Sequence, residues 1–299
     1  MLTHQDILLG LALPAMVCAG VLLAAWQPWR RASARDGRWA GAIAIGAAYA
    51  IAYARLVGDF HFPPTDSDDW IAYVMPVAMV VGVLFCRLPR APWVRLATVE
   101  AIALALIWLL VRPLIGNEFS GMAAAGRIGA GSVAMTLWWV AVNQLARSGP
   151  RVMTPVILFL AAAGGAVVLG DNGLAQRGGV TLGALAVILA ASAAVAAVTS
   201  RFSLAGGGTL ATTLVLFGTM LYGYYYIYPD PTPRLITAMA IVLVAPMLAW
   251  IGWLPPLRRG PSWVRASFAV ALVLLGVAAA VVVAESASRQ PAAGETDTP

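Results

Sequence analysis

Long apolar runs recur along almost the whole chain, and they restrict its possible folds more than any other feature of the sequence. An α-helix needs about 20 mainly apolar residues to cross the roughly 30 Å hydrocarbon core of a bilayer. Ten stretches meet or approach this length, with predicted limits of about 6–27, 39–57, 70–86, 96–115, 128–145, 152–170, 179–199, 209–228, 235–254 and 266–284. A helix bonds its backbone polar groups internally, whereas an open sheet does not. The sequence therefore predicts an all-α fold, a polytopic membrane helix bundle of about ten transmembrane helices with short loops.

The composition excludes an ordinary soluble protein. Hydrophobic residues make up 61% of the 299 residues and charged residues 11%, whereas a soluble domain contains about 25% charged residues. The runs are also too long, and alternate too poorly, for the strands of a membrane β-barrel. Residues 1–284 are predicted to form a single bundle. Residues 285–299 are rich in Ala, Thr, Pro and acids and are predicted to be a disordered extracytoplasmic tail.

The distribution of arginine predicts the orientation of the bundle. Loops on one side contain thirteen Arg, namely Arg30, Arg31, Arg35, Arg38, Arg87, Arg90, Arg95, Arg147, Arg151, Arg201, Arg258, Arg259 and Arg265. The other side contains five, namely Arg112, Arg127, Arg177, Arg234 and Arg289. The positive-inside rule places the richer side in the cytoplasm, so both termini are predicted to be extracytoplasmic. The chain has Arg but no Lys, which we interpret as the codon usage of a GC-rich bacterium, and the predicted location is the bacterial cytoplasmic (inner) membrane.

Nucleic acid is not an expected partner, although the formal net charge is +6. The basic residues lie in short clusters between apolar runs and form no basic surface interleaved with aromatic residues. Membrane lipids are the expected partners, together with other membrane proteins or further copies of the chain. No cofactor is expected, because the chain lacks nucleotide-binding, zinc-protease and serine-nucleophile motifs. Cys18 and Cys86 are predicted not to form a disulfide.

Glu100 is the most unusual single residue, because an acidic side chain within a membrane span is by default a functional candidate. It lies four residues into the fourth predicted span, on the predicted cytoplasmic side. As a functional group it would be a proton or cation site, or a gate. The structural alternative is that the carboxylate, only one helical turn into the span, reaches the headgroups or pairs with Arg95 or another cytoplasmic Arg.

Arg55 and Asp59 lie near the outer end of the second predicted span. Their spacing of four residues places both side chains on one helix face. The long Arg stem lets its charge reach the membrane interface. We expect a local ion pair there, and the alternative is a site for a substrate anion.

The densest polar cluster follows in the same outer loop, where His61 precedes Asp66, Asp68 and Asp69. Carboxylate oxygens and an imidazole are ligands for a divalent cation, and carboxylates also perform acid–base chemistry in membrane glycosyltransferases that use lipid-linked sugars. The structural alternative is that Asp66 or Asp68 caps the helix that begins near Trp70.

Asn143 lies near the inner end of the fifth predicted span, where its amide can hydrogen-bond across helices. Several spans are also rich in small residues, including 41–48, 126–131 and 184–197. Small side chains let helix backbones approach closely, and the alternative is that they form sliding surfaces in a moving transporter.

In size alone the chain resembles the drug/metabolite transporter superfamily, because about ten predicted spans lie within 299 residues. It has no diagnostic motif of that family, and its predicted outward N-terminus is opposite to the usual one. Three functions follow from the sequence. The favoured one is a small transporter or permease for an apolar or amphipathic substrate. The alternatives are a non-catalytic scaffold or subunit of a larger membrane complex, and a membrane enzyme acting on a lipid-linked substrate at the outer face.

Overall fold

The computed structural model of the chain describes residues 4–26, 38–57, 62–64, 66–87, 91–170, 176–199, 202–226, 233–253 and 261–288. Within these ranges the chain is almost entirely helical, and the single β-type pairing is an isolated bridge between Ile115 and Phe119. The predicted all-α fold class is confirmed.

Ten α-helices lie within the described residues, and each overlaps one of the predicted spans. They are α1 (His4–Trp26), α2 (Arg38–Leu56), α3 (Asp69–Arg87), α4 (Pro92–Val111), α5 (Gly121–Ser148), α6 (Met153–Gly170), α7 (Gln176–Val198), α8 (Gly207–Tyr226), α9 (Pro233–Leu248) and α10 (Ser262–Ser288). Short 3-10 helices at Arg112–Leu114 and Ala249–Trp253 extend α4 and α9. Residues 289–299 of the predicted tail lie outside the described residues.

Seven of the helical segments are long and apolar enough to cross a membrane, which indicates a membrane protein. They are Trp39–Leu56, Asp69–Arg87, Pro92–Leu114, Met153–Gly170, Arg177–Val198, Pro233–Gly252 and Ser262–Ser286. The apolar part of α1 is shorter, at Gly10–Ala25, while α5 and α8 are long but contain many Gly, Thr or other polar residues. The predicted number of ten spans therefore stays a prediction.

Helix α8 lies at the centre of the bundle. It contacts α2, α3, α4, α5, α6, α7 and α9, and every residue from Gly207 to Met220 is buried. Two of its buried hydroxyls are satisfied within the helix: Thr212 donates to the Gly208 carbonyl and Thr213 to the Thr209 carbonyl. Because a helix surrounded by other helices does not face lipid, it does not need an apolar surface, and this explains the polar composition of α8.

Glycine lets the backbones of neighbouring helices touch. A Cβ atom on Gly82 of α3 would lie 2.6 Å from the Cα of Gly207 of α8. A Cβ atom on Gly179 of α7 would lie 2.8 Å from the backbone of Gly170 at the end of α6. The expected close approach does not hold for the small-residue stretch 126–131 as a whole, since a Cβ atom on Gly126 would meet nothing within 4 Å.

Contacts between helix termini show which ends of the helices meet. The end of α2 contacts the beginning of α3 through Tyr53 and Asp69, and the end of α8 contacts the end of α4 through Tyr226 and Leu110. We call this the acidic end of the bundle. At the opposite end, the C-terminal part of α5 contacts the segment before α8 through Asn143.

Candidate functional site

Polar side chains from four parts of the chain meet at the acidic end. Helix α2 supplies one, the turn leading into α3 supplies four, and α7 and α8 supply one each. We call this group the acidic-end cluster, and its members are Tyr53, Asp66, Ser67, Asp68, Asp69, Arg177 and Tyr226. The four consecutive residues 66–69 form what we call the acidic turn.

Two side chains of the acidic turn are bonded to α2 and α7. The guanidinium of Arg177 donates to Oδ2 of Asp66 and forms an ion pair with it. This pair is about half exposed, so solvent screening limits its strength. The Tyr53 hydroxyl donates to Oδ1 of Asp69 over 2.5 Å. Together these bonds attach the turn to the end of α2 and the beginning of α7.

A third contact attaches the acidic turn to α8. The Tyr226 hydroxyl donates to the Leu110 carbonyl over 2.8 Å, so its own proton is already used. The Ser67 hydroxyl, 2.8 Å from the same oxygen, is therefore the donor to Tyr226. The turn is thus held by α2, α7 and α8 at once.

Asp68 differs from its neighbours because it points into the protein. Its side chain is 5% exposed, and its Oδ1 atom has no hydrogen-bond partner. Burial, reinforced by repulsion from Asp69 and Asp66 and opposed by attraction to Arg177, raises the pKa of Asp68 to about 6. Desolvation disfavours the charged form of a carboxyl group, so this residue changes charge close to neutral pH.

A polar path continues from the cluster into the bundle. Tyr49 lies one helical turn before Tyr53 on α2, with ring centroids 6.2 Å apart, and is 1% exposed. The hydroxyls of Thr181 on α7 and Thr219 on α8 lie beside the Tyr49 hydroxyl. Polar groups from α2, α7 and α8 therefore extend below the acidic turn.

The structure brings Asp66, Asp68 and Asp69 together, but not in the arrangement expected for simple helix capping. Helix α3 begins at Asp69. Oδ2 of Asp69 accepts the backbone N–H of Asp66 over 3.1 Å, so Asp69 makes the bond that closes the turn. The side chain of Asp66 instead pairs with Arg177.

Other residues predicted in this loop lie apart from the cluster or outside the described residues. Arg55 is exposed in the last turn of α2. Asp59 and His61 fall outside the described ranges, so the Arg55–Asp59 pair and any role of His61 stay predictions. Within those ranges, no group of three or more His, Cys, Asp or Glu side chains is arranged to hold a metal ion.

Glu100 accepts a hydrogen bond from a neighbouring helix. The Ser132 hydroxyl of α5 donates to its Oε1 over 2.7 Å. Arg95 lies instead with its guanidinium 5.9 Å from the ring centroid of Phe85. Glu100 therefore joins α4 to α5 through a single neutral donor, and its functional role stays a prediction.

Asn143 is buried at the opposite end and holds the start of α8. Its Oδ1 accepts the backbone N–H of Gly206 over 2.6 Å and the Thr209 hydroxyl over 3.3 Å. Gly206 has a φ of +90°, a conformation that favours glycine. The amide therefore bonds across helices and positions the turn that precedes α8.

Sequence reasoning missed Arg177, Tyr53 and Tyr226 as members of this site. The sequence does contain a signal for Arg177, because it is one of few arginines predicted on the acidic side. Tyr226 belongs to a group of five tyrosines within residues 222–228, a composition typical of a membrane interface. A pairing between distant loops was not predictable without knowing which helices are neighbours.

Comparison with known proteins does not assign a family, since no protein-family model matches the chain and no curated protein matches its sequence. The arrangement of the side chains is therefore the basis for a functional proposal.

Proposed function

We propose that the chain is a small membrane transporter whose acidic end forms a closed entrance for an amphipathic substrate. The observation that carries this proposal is the buried Asp68, whose Oδ1 has no partner at the junction of α2, α3, α7 and α8. An unsatisfied buried polar group destabilises a protein. Asp68 is the carboxylate among the buried unpartnered groups of the described residues, and transporters use buried ionisable groups to bind substrates and ions.

The connections of the acidic turn support a gate. Two of its bonds, Asp66–Arg177 and Ser67–Tyr226, join the first five helices to the last five. The third, Tyr53–Asp69, lies within the first five. In alternating access one group of helices rocks against another. Such a movement would break the first two contacts and preserve the third.

The chemistry of the cluster favours a substrate that carries positive charge. Three carboxylates face a single guanidinium there, and the stacked rings of Tyr222 and Tyr226, with centroids 5.0 Å apart, lie beside them. Aromatic faces and carboxylates both attract cations. In this proposal ten helices span a bacterial inner membrane, and the acidic end faces outward, as the arginine distribution predicts.

Accessibility of a buried position tests the proposal without knowledge of the substrate. Cys18 and Cys86 are the two cysteines of the sequence and would first be replaced by Ala. Thr219→Cys, on α8 below the cluster, would then be treated with a membrane-impermeant maleimide in proteoliposomes. We expect labelling over minutes, because Thr219 is reached whenever the entrance opens. The matched control is Ala161→Cys, at an equally buried position on α6, which should stay unlabelled.

A flux measurement complements the labelling. Proteoliposomes would be loaded with ethidium or tetraphenylphosphonium, and efflux would be compared with that of protein-free vesicles. We expect faster efflux of at least one probe, with a further increase in Arg177→Gln, because this change removes a contact that closes the entrance. If Thr219→Cys is as unreactive as Ala161→Cys, and neither probe leaves faster than from protein-free vesicles, the bundle is static and the proposal is wrong.

A further inference from the structure

Asp68 is the one cluster carboxylate that is buried and has an unpartnered oxygen among the described residues. We propose that Asp68 is a proton-binding site, and that the bound proton holds the acidic turn closed against α7 and α8. Release of the proton would loosen the turn and open the acidic end.

The local geometry favours a proton as the occupant. An ionised carboxylate needs several donors, and burying it without them is unfavourable. Asp68 is 5% exposed and its Oδ1 has none. A proton neutralises the group without requiring any cavity volume. The protonated carboxyl is therefore the form that best fits these surroundings.

The two neighbouring carboxylates act in the same direction as burial, and one guanidinium opposes them. Within the turn Asp68 is close to Asp66 and Asp69, and α7 contributes Arg177. The guanidinium of Arg177 is already paired with Asp66. Among the described residues, the other titratable groups that face this region are tyrosines, Tyr49 and Tyr53 from α2 and Tyr222 and Tyr226 from α8. Neutral phenols supply no compensating positive charge, so the cluster as a whole attracts a cation.

Loss of the proton weakens the contacts that hold the turn. An ionised Asp68 is repelled by Asp66 and Asp69 and competes with Asp66 for Arg177. The Asp66–Arg177 pair and the neighbouring Ser67–Tyr226 contact are the two bonds from the turn to the last five helices. Because linkage is reciprocal, closing the turn must raise the proton affinity of Asp68 by the same factor by which the proton favours closure.

Use of this proton in transport rests on the proposed function, whereas proton binding itself does not. A titration that needs no substrate therefore tests the site directly. The full-length chain in lipid nanodiscs would be examined by infrared difference spectroscopy across the acidic to neutral pH range. We expect a protonated-carboxyl band that disappears with a midpoint near the pKa of about 6.

The band should be missing in Asp68→Asn and retained in Glu118→Gln, which removes an exposed carboxyl outside the acidic turn. A midpoint near the ordinary value of about 4, or a band that persists in folded Asp68→Asn, would overturn the proposal. If Asp68→Asn does not fold, the wild-type midpoint decides the question alone.

Hydrogen exchange tests the link between the proton and the turn. Amide exchange of the segment 66–72, corrected for the intrinsic pH dependence, would be compared at about pH 5 and about pH 8, on either side of the titration. We expect several-fold faster exchange at the higher pH in the wild type and no change in Asp68→Asn. If the ratio of the exchange rates at the two pH values is the same in the wild type and in Asp68→Asn, the proton and the turn are not coupled. If Asp68 titrates as expected but no probe crosses the membrane, only the proposed transporter is contradicted. If a probe crosses but the titration is missing, only the proton site is contradicted.

Discussion

The two ends of α8 each contact a buried polar side chain, but the two side chains are in opposite situations. At the beginning of α8, Asn143 is 6% exposed and its amide oxygen accepts two hydrogen bonds. At the acidic end, Asp68 is 5% exposed and its Oδ1 accepts none. Burial therefore does not separate structural from functional polar residues. Hydrogen bonding distinguishes these two residues, since a satisfied group stabilises a bundle and an unsatisfied one weakens it.

The largest effect on stability is expected from Asn143→Ala. This change leaves the Gly206 N–H and the Thr209 hydroxyl, both buried, without their shared acceptor. We expect a loss of about 2–3 kcal/mol, because each unsatisfied buried donor destabilises by about 1–3 kcal/mol and Thr209 keeps its bond to Gly206. Thermal unfolding in detergent measures the loss. Gln144→Ala, at the neighbouring exposed position, should change little, and equal melting of the two variants would refute a structural role for Asn143.

Asp68→Asn is expected to stabilise the protein, in contrast to Asn143→Ala. The folded-state pKa of about 6 lies above the unfolded value of about 3.9. The proton on Asp68 therefore stabilises the folded wild type fully at pH values below about 4. This stabilisation is lost as the pH rises through about 6. The amide is neutral at every pH, so the variant gains about 2–3 kcal/mol relative to the wild type at about pH 8 and gains nothing at about pH 4. If the difference in melting temperature between the wild type and Asp68→Asn is the same at every pH in this range, Asp68 is not the titrating group.

Tyr226→Phe is expected to have a moderate effect. It removes the hydroxyl that joins the Leu110 carbonyl to the Ser67 hydroxyl. We expect a loss of about 1 kcal/mol, typical of a partly exposed hydrogen bond. In the proposed transporter the same change favours the open entrance, so Thr219→Cys should be labelled faster in this background. Tyr224→Phe is the control. A slower labelling rate in Tyr226→Phe would count against a gate at this position.

The smallest effect is expected from Glu100→Gln. The new amide oxygen can still accept the Ser132 hydroxyl, and we expect a change below about 0.5 kcal/mol, as for most substitutions that preserve the local contact. Efflux of ethidium and tetraphenylphosphonium should be unchanged. Loss of efflux with normal folding would show that Glu100, and not Asp68 alone, binds a functional ion.

The sequence contains most of the information about the helices, because each apolar run needs only its own residues to form one. It also identifies the Asp-rich turn, since Asp66, Asp68 and Asp69 are close in the chain. It does not show that Arg177 pairs with Asp66, because they are separated by 111 positions and only the packing of α7 against α2 and α8 brings them together. The hydrogen bond from Ser132 of α5 to Glu100 was not predictable for the same reason. Direct contact between Gly82 and Gly207 likewise depends on which helices are neighbours.

That glycine contact constrains how α8 can move. Its first residues rest directly on the backbone of α3, and the preceding turn is bonded to Asn143. In the proposed transporter the tyrosine-bearing end would be the part that moves, because the helix is anchored where it begins. Its 20 residues give an arm of about 30 Å at 1.5 Å per residue. A tilt of only about 10° at the anchored base would displace the far tip by about 5 Å, more than a hydrogen bond can stretch.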